Sequence, residues 1–460
     1  MQVTARGNAM IAGGSRTLSE GGTELMAITT PSSPQTATAP SGSDQSYGAA
    51  LATVTTLFFM WGFLTCLNDI LVPHLKSIFD LTYAKVMLIQ FAFFGAYFIF
   101  SIPSAKIIDW MGYQRSMVAG LLTMGVGAFL FVPAASAPSY PLFLGALIVL
   151  AAGITCLQVA ANPYVTVLGK PETASSRLNL TQAFNSLGTF LAPFFGGLLI
   201  LSAAPKTMDE IRALAPDALQ AYRLHEAATV KSPYVGLGIA LVVLAIAIGS
   251  FKLPKIPHAQ HQLGEKVNDS IWKHPSLILG AIGIFVYVGA EVSIGSFLVN
   301  YFGQPEIGGL TEKVAASFVA FYWGGAMVGR FIGSALLQKM KTGSLLGICA
   351  ICAGSLVAIS MLSSGHLAMY SIILVGFFNS IMFPSIFTLG VAELGPLTGD
   401  GSGIMIMAIV GGAIIPVAQG AIADRIGIHH AFFLPVICYL YILYFALSGS
   451  RPNSQRHAKA

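Results

Sequence analysis

Twelve runs of mostly apolar residues, each about as long as a lipid hydrocarbon core is thick, dominate this chain. They fall near 49–72, 84–106, 115–136, 141–168, 177–202, 233–253, 275–302, 314–337, 343–364, 367–392, 402–423 and 430–449. A helix needs about 20 apolar residues to cross roughly 30 Å of hydrocarbon, and only helices or closed barrels satisfy their own backbone there. Barrel strands alternate in polarity, whereas these runs are continuous. The expected fold is an all-α membrane protein with twelve transmembrane helices. Composition agrees, with 55% hydrophobic and 9% charged residues in 460, against about 25% charged in an ordinary soluble domain. So few charges cannot cover a water-soluble surface, which excludes a soluble enzyme core, a coiled coil, collagen and disorder over most of the chain.

The net charge of +5 does not imply a nucleic-acid partner, because the basic residues are scattered between apolar runs with no basic block. They carry a topology signal instead. Of the 24 Lys and Arg, sixteen, from Arg6 to Lys459 and including Arg330, fall in or beside connections on the side of the N-terminus, and eight on the other. That bias predicts both termini in the cytoplasm. The five cysteines lie in apolar stretches, and the Cys349/Cys352 pair has no partner pair or histidines for a metal or redox site.

Composition divides the chain into a disordered cytoplasmic tail over 1–48, a six-helix bundle over 49–253, a lysine-bearing cytoplasmic linker over 254–274, a second six-helix bundle over 275–449, and a cytoplasmic tail over 450–460. The stretch PDALQAYRLHEAATV, between the fifth and sixth runs, has the pattern of a short helix. The two halves match in order. Pro163 to Gly169 and Pro384 to Gly390 share P-x-[VI]-x-x-L-G at an offset of 221, and Gly188, Pro193 and Gly197 find Gly411, Pro416 and Gly420 at 223. Two pseudo-symmetric bundles with a site between them at mid-depth are the architecture of secondary transporters.

Intramembrane acids are costly and are functional candidates. Only Asp69 and Glu291 of the 19 acids fall within the runs or their last turn, one in the first run of each half. Either carboxyl could exchange a proton or coordinate sodium, and Asp69 could equally end its helix at the interface. Amides form a second set. Gln158 and Asn162 are four apart, Gln182 and Asn185 three apart, so each pair shares a helix face, and Asn379 lies in the repeat partner of the fourth run. Each amide could be interhelical glue, but together they suit the hydroxyls of a sugar. Asn68, beside Asp69, belongs with them, and Tyr322 and Trp323 offer flat faces for a sugar ring. No GxxxxGK[ST], HExxH or GxSxG occurs, so neither an ATP-driven pump nor an enzyme is indicated, and no cofactor or fixed metal is expected.

Several segments resemble the glucose/galactose transporter branch of the fucose:proton symporter family, in the major facilitator superfamily. They include FFMWGFLTCLNDILVPHLK (58–76), CLQVAANPYVTVLG (156–169), RLNLTQAFNSLG (177–188), VYVGAEVSIGSFLV (286–299), FYWGGAMVGRFIGS (321–334) and GFFNSIMFPSIFTLG (376–390). The resemblance implies a carrier that moves a hexose with a cation by alternating access. It makes Asp69, the LND acid, the coupling carboxylate and puts Gln182 and Asn185 on the sugar path. A second acid of the fucose carriers falls on Gln158, which cannot titrate, so the coupling ion is left as proton or sodium, with sodium at Asp69 one form of it. The expectation is a monomer in a bacterial inner membrane, with the lipid bilayer, a hexose and a cation as partners. The superfamily's loop motif survives in part around Asp109 and Gly112, with a similar ADRIG fragment at Ala423 to Gly427. An exporter of amphipathic compounds on the same fold and a sugar sensor without flux are the alternatives.

Overall fold

Long helices follow from a chain whose apolar runs must satisfy their own backbone hydrogen bonds in lipid. The structure, a computed structural model, describes residues 44–79, 83–136, 139–199, 213–256 and 269–451, all within one compact unit. In crossing order the helices are Asp44–Phe79 (first), Tyr83–Ser136 (second and third), Tyr140–Val167 (fourth), Ala174–Leu199 (fifth) and Lys231–Ser250 (sixth). The second half follows with Pro275–Phe302 (seventh), Glu312–Leu336 (eighth), Thr342–Leu362 (ninth), Gly365–Asn379 with Met382–Gly390 (tenth), Thr398–Met407 with Gly411–Ile426 (eleventh), and Phe433–Tyr444 extended by a π turn to Gly449 (twelfth). Among the described residues, ten stretches are long and apolar enough to cross a membrane. One of them, Phe91–Ser136, has 46 residues and doubles back on itself. Large apolar side chains such as Ile99, Ile246, Leu362 and Leu440 are exposed to what would be lipid.

Gly112 makes the reversal between the second and third crossings, with φ 79° and ψ 168°. Gly427 repeats the conformation, φ 85° and ψ 153°, before the twelfth crossing. Both follow an aspartate by three residues, Asp109 and Asp424, so the two sequence fragments noted above build the same turn. A side chain other than glycine is strained there.

Some boundaries differ from expectation. The first helix starts at Asp44 rather than near 49, inside the expected tail, because residues 44–48 extend the same helical turn. A helix over Pro216–Thr229 forms where the PDALQAYRLHEAATV pattern suggested one. The tenth and eleventh crossings, expected as single spans, are each two helices, parted at Ser380–Ile381 and by a 3-10 turn at Ala408–Val410. Pro384 lacks the N–H that would bond the Ser380 carbonyl, and the first break falls at that residue. Among its described residues the linker shows a 3-10 turn at Ile271–Lys273; residues 257–268 lie outside the described ones, as do 1–43 and 452–460.

Repeat partners do the same packing work. A Cβ on Gly188 would lie 2.2 Å from the Phe59 carbonyl oxygen of the first crossing; on Gly411, its partner, 2.0 Å from the Phe285 oxygen of the seventh. Both seams depend on backbones approaching closely, the usual basis of helix association in lipid. Between the halves, the second crossing packs on the eleventh and the fifth on the eighth.

Candidate functional site

In the first half the fourth crossing runs as an unbroken helix through Pro163 and buries Gln158 and Asn162 on one face. Gln158 Nε2 donates to Tyr97 Oη of the second crossing at 2.6 Å, and Gln182 Nε2 of the fifth donates to Asn162 Oδ1 at 3.4 Å. Gln158 Oε1 and Asn162 Nδ2 remain buried without a hydrogen-bond partner. Such groups cost about 1–3 kcal/mol each when left dry. One free acceptor and one free donor thus stand on this face, four residues apart in sequence.

Asn185 is placed differently. Its Nδ2 donates to the Phe58 carbonyl at 2.9 Å, and its backbone packs on Gly62 of the first crossing. Its amide nitrogen is thus committed to the seam between the first and fifth crossings. Asn68 and Asp69 lie on the first helix, but their side chains are outside the described residues.

The second half gathers a different cluster. Tyr287 Oη, one turn before Glu291 on the seventh crossing, is 2.8 Å from Glu291 Oε1. Asn379 Nδ2 donates to Tyr322 Oη at 2.9 Å, and Tyr439 Oη donates to Asn379 Oδ1 at 2.8 Å. Tyr322 and Asn379 are fully buried, while Trp323 is 43% exposed, packed edge-on to Tyr322 and against Gly295. Of the expected site residues, Glu291, Tyr322 and Asn379 therefore meet in one cluster, Gln158, Asn162 and Gln182 in another.

Arg330 spans the two halves. The charge count assigned it to a connection, but it sits within the eighth helix, six residues before its end at Leu336. Its Nη1 donates to Ser186 Oγ on the fifth crossing, and its Nε to the Ser380 carbonyl at 3.3 Å. That carbonyl is the one Pro384 leaves without a helical donor. Arg330 also lies within electrostatic range of Glu291. The missed signal was the six apolar-dominated residues that follow Arg330 in sequence. Tyr287 was legible as the i−4 neighbour of Glu291, whereas nothing local marks Tyr97 or Tyr439.

Hydrogen bonds between the halves gather at the end of the molecule that carries the turns at Gly112, Lys170, Lys341 and Gly395. Lys106 pairs with Asp400 at 2.7 Å, Ser175 with Thr388 at 2.6 Å, and Thr342 with Ser175 at 2.9 Å. Ser176 Oγ donates to the Ser334 carbonyl at 2.7 Å, Asn179 Nδ2 to the Arg330 carbonyl at 2.7 Å, and Ser402 Oγ to the Val159 carbonyl at 2.8 Å. Val159 stands four residues before Pro163, so its carbonyl is the first-half counterpart of the one Arg330 takes. This end is closed by short polar contacts together with close packing of the second crossing on the eleventh and the fifth on the eighth.

Comparison with known proteins agrees with this architecture. A family model described as Major Facilitator Superfamily matches residues 50–409. The chain is 55% identical over 409 residues to a glucose/galactose transporter of Brucella abortus biovar 1 (strain 9-941), covering 89% of this chain and 96% of that one. It is 35% identical over 417 residues to the L-fucose-proton symporter of Escherichia coli (strain K12), covering 88% and 94%. The crystal structure of a Major Facilitator Superfamily transporter, FucP, in the outward conformation, superposes with a TM-score of 0.82 at 34% identity, covering 88% of this chain and 100% of that one.

Proposed function

The chain belongs to the Major Facilitator Superfamily, within the family of the L-fucose–proton symporters, and from that premise we propose that it imports a hexose, glucose or galactose, together with a cation. It is a multi-pass membrane sugar transporter and not an enzyme. The observation that carries the finer reading is the pair of polar clusters, one in each half, beside an end where the halves are joined, with Arg330 reaching from the eighth crossing to Ser186 of the fifth. Unpartnered amide groups on the first-half side suit sugar hydroxyls, and Tyr322, Trp323 and Asn379 supply ring and amide on the other. The 55% identity to a glucose/galactose transporter supports the choice of hexose.

Asp69 and Glu291 are the cation-binding carboxylates of this reading. A charge at mid-depth is expensive. A carrier whose carboxylates are neutralised by a proton or sodium can close over its sugar, and an uncompensated one closes less readily. Asp69, with Asn68 beside it, serves the first half, where Gln158 replaces the second acid of the fucose carriers; Glu291 supplies a carboxyl in the second. The lysine and arginine bias supports cytoplasmic termini and hence a closed end facing the cytoplasm, in an inner membrane as the bacterial relatives suggest. Each chain holds both halves of the site and works as a monomer, with no cofactor.

The test is purified protein in liposomes, with labelled glucose, galactose and fucose and with proton and sodium gradients imposed separately. Accumulation of glucose or galactose under one gradient identifies the ion. Asp69→Asn abolishes accumulation and keeps sugar exchange, and Glu291→Gln changes the ion dependence. If no hexose accumulates under either gradient, the reading fails; if Asp69→Asn concentrates sugar like the parent, Asp69 is not a coupling group.

A further inference from the structure

Tyr287 has one hydroxyl hydrogen and two acceptors. Its Oη is 2.8 Å from Glu291 Oε1 and 3.0 Å from the Asn379 carbonyl oxygen. Asn379 ends the first helix of the tenth crossing, so its carbonyl is among the four that the helix leaves without an internal partner. The next turn is the break at Ser380–Ile381. Tyr287 is fully buried.

We propose that Tyr287 is a positioning residue that relays the charge of Glu291 to the break in the tenth crossing. With Glu291 ionised, the phenol donates to the carboxylate and the Asn379 carbonyl goes without. With Glu291 protonated, the carboxyl O–H donates to Tyr287 Oη, and the phenol turns its hydrogen to Asn379. One proton is taken up, on Glu291, and no other covalent bond changes. The break is therefore pinned to the seventh crossing when Glu291 is neutral and released when it is charged. Asn379 carries the amide that Tyr322 and Tyr439 hold, so the relay also reaches the second-half polar cluster.

The groups facing Glu291 are Tyr287 on its own helix, Tyr322 and Arg330 on the eighth crossing and Tyr439 on the twelfth; Asn379 represents the tenth. Phenols and guanidinium groups ordinarily do not titrate near neutrality, which leaves the carboxyl as the switch. The relay rests on the reading of Glu291 as a cation-binding group, here with the proton as the cation.

Two measurements on the purified full-length protein separate the relay from that reading. Infrared difference spectra between acidic and alkaline buffer show whether a carboxyl band is lost on raising the pH and whether Glu291→Gln removes it. Amide exchange over residues 376–390, corrected for intrinsic rates, reports the break. The expected result is a Glu291 band in the parent and in Tyr287→Phe, with protection at the break about fivefold higher at acidic pH in the parent, the size of one net hydrogen bond. Tyr287→Phe loses that pH dependence. Glu291→Gln, which has no proton to gain or lose in this range, also loses the pH dependence. A missing Glu291 band defeats the reading of Glu291 itself. A Glu291 band in the parent with parent-like pH dependence of the break in Tyr287→Phe or in Glu291→Gln overturns the relay alone.

Discussion

Ser402→Ala isolates one contact of the closed end. The Val159 carbonyl has no helical donor because Pro163 stands four residues on, and Ser402 Oγ, from the other half, fills that vacancy at 2.8 Å. Both residues are fully buried. The bond can exist only while this end is closed, so its loss acts on the closed state and not on the open one. A neutral hydrogen bond contributes a net of about 1 kcal/mol, a factor of about five in an equilibrium constant. A carbonyl left dry raises the loss towards the upper part of the 1–3 kcal/mol range for an unsatisfied buried group. The assay is pulsed electron resonance between spin labels at Glu172 and Lys341, both exposed at that end and on opposite halves, in a cysteine-free background. The population with separated labels rises about fivefold or more in Ser402→Ala and stays near the parent in Ser402→Thr, which keeps a hydroxyl. An unchanged distance distribution in the alanine variant would refute the argument that the proline-freed carbonyl holds this end shut.

Gly188→Ala should lower the thermal midpoint in detergent by the equivalent of about 1–3 kcal/mol, because the new Cβ would meet the Phe59 carbonyl at 2.2 Å, whereas Gly95→Ala, with nothing within 4 Å, leaves it unchanged. Equal midpoints for the two would show that the first–fifth seam has slack. Arg330→Lys keeps the charge but cannot reach Ser186 and the Ser380 carbonyl together; hexose uptake in vesicles falls about tenfold at normal expression. Parent-like uptake in that variant would mean that charge alone suffices.

The fold could be read from the chain because lipid tolerates so few backbone solutions: run length and continuity fix helices, and the proline and glycine repeats carry the twofold relation. Sites were less legible. Glu291 stood out as an acid among apolar residues, and the shared face of Gln158 and Asn162 followed from helical spacing, but the meeting of Gln182 with Asn162 lies between two helices and did not. Asn185 has the same spacing signal, yet its amide nitrogen is spent on the Phe58 carbonyl, since periodicity gives a face and not the neighbour it meets. Arg330 was hidden by its nearness to a connection, and the contacts of Tyr97 and Tyr439 are made 61 and 60 residues away in sequence.

The two prolines of the repeat do unequal things to their helices. Pro163 is carried inside a continuous helix, and Pro384 follows a parted one. Two levers of similar length thus differ in compliance: the fourth crossing behaves as a stiff rod, and the tenth has a pivot at its middle. When such a pair of levers is loaded, deformation concentrates where the pivot is, so a bending load on the tenth crossing falls on Ser380–Ile381.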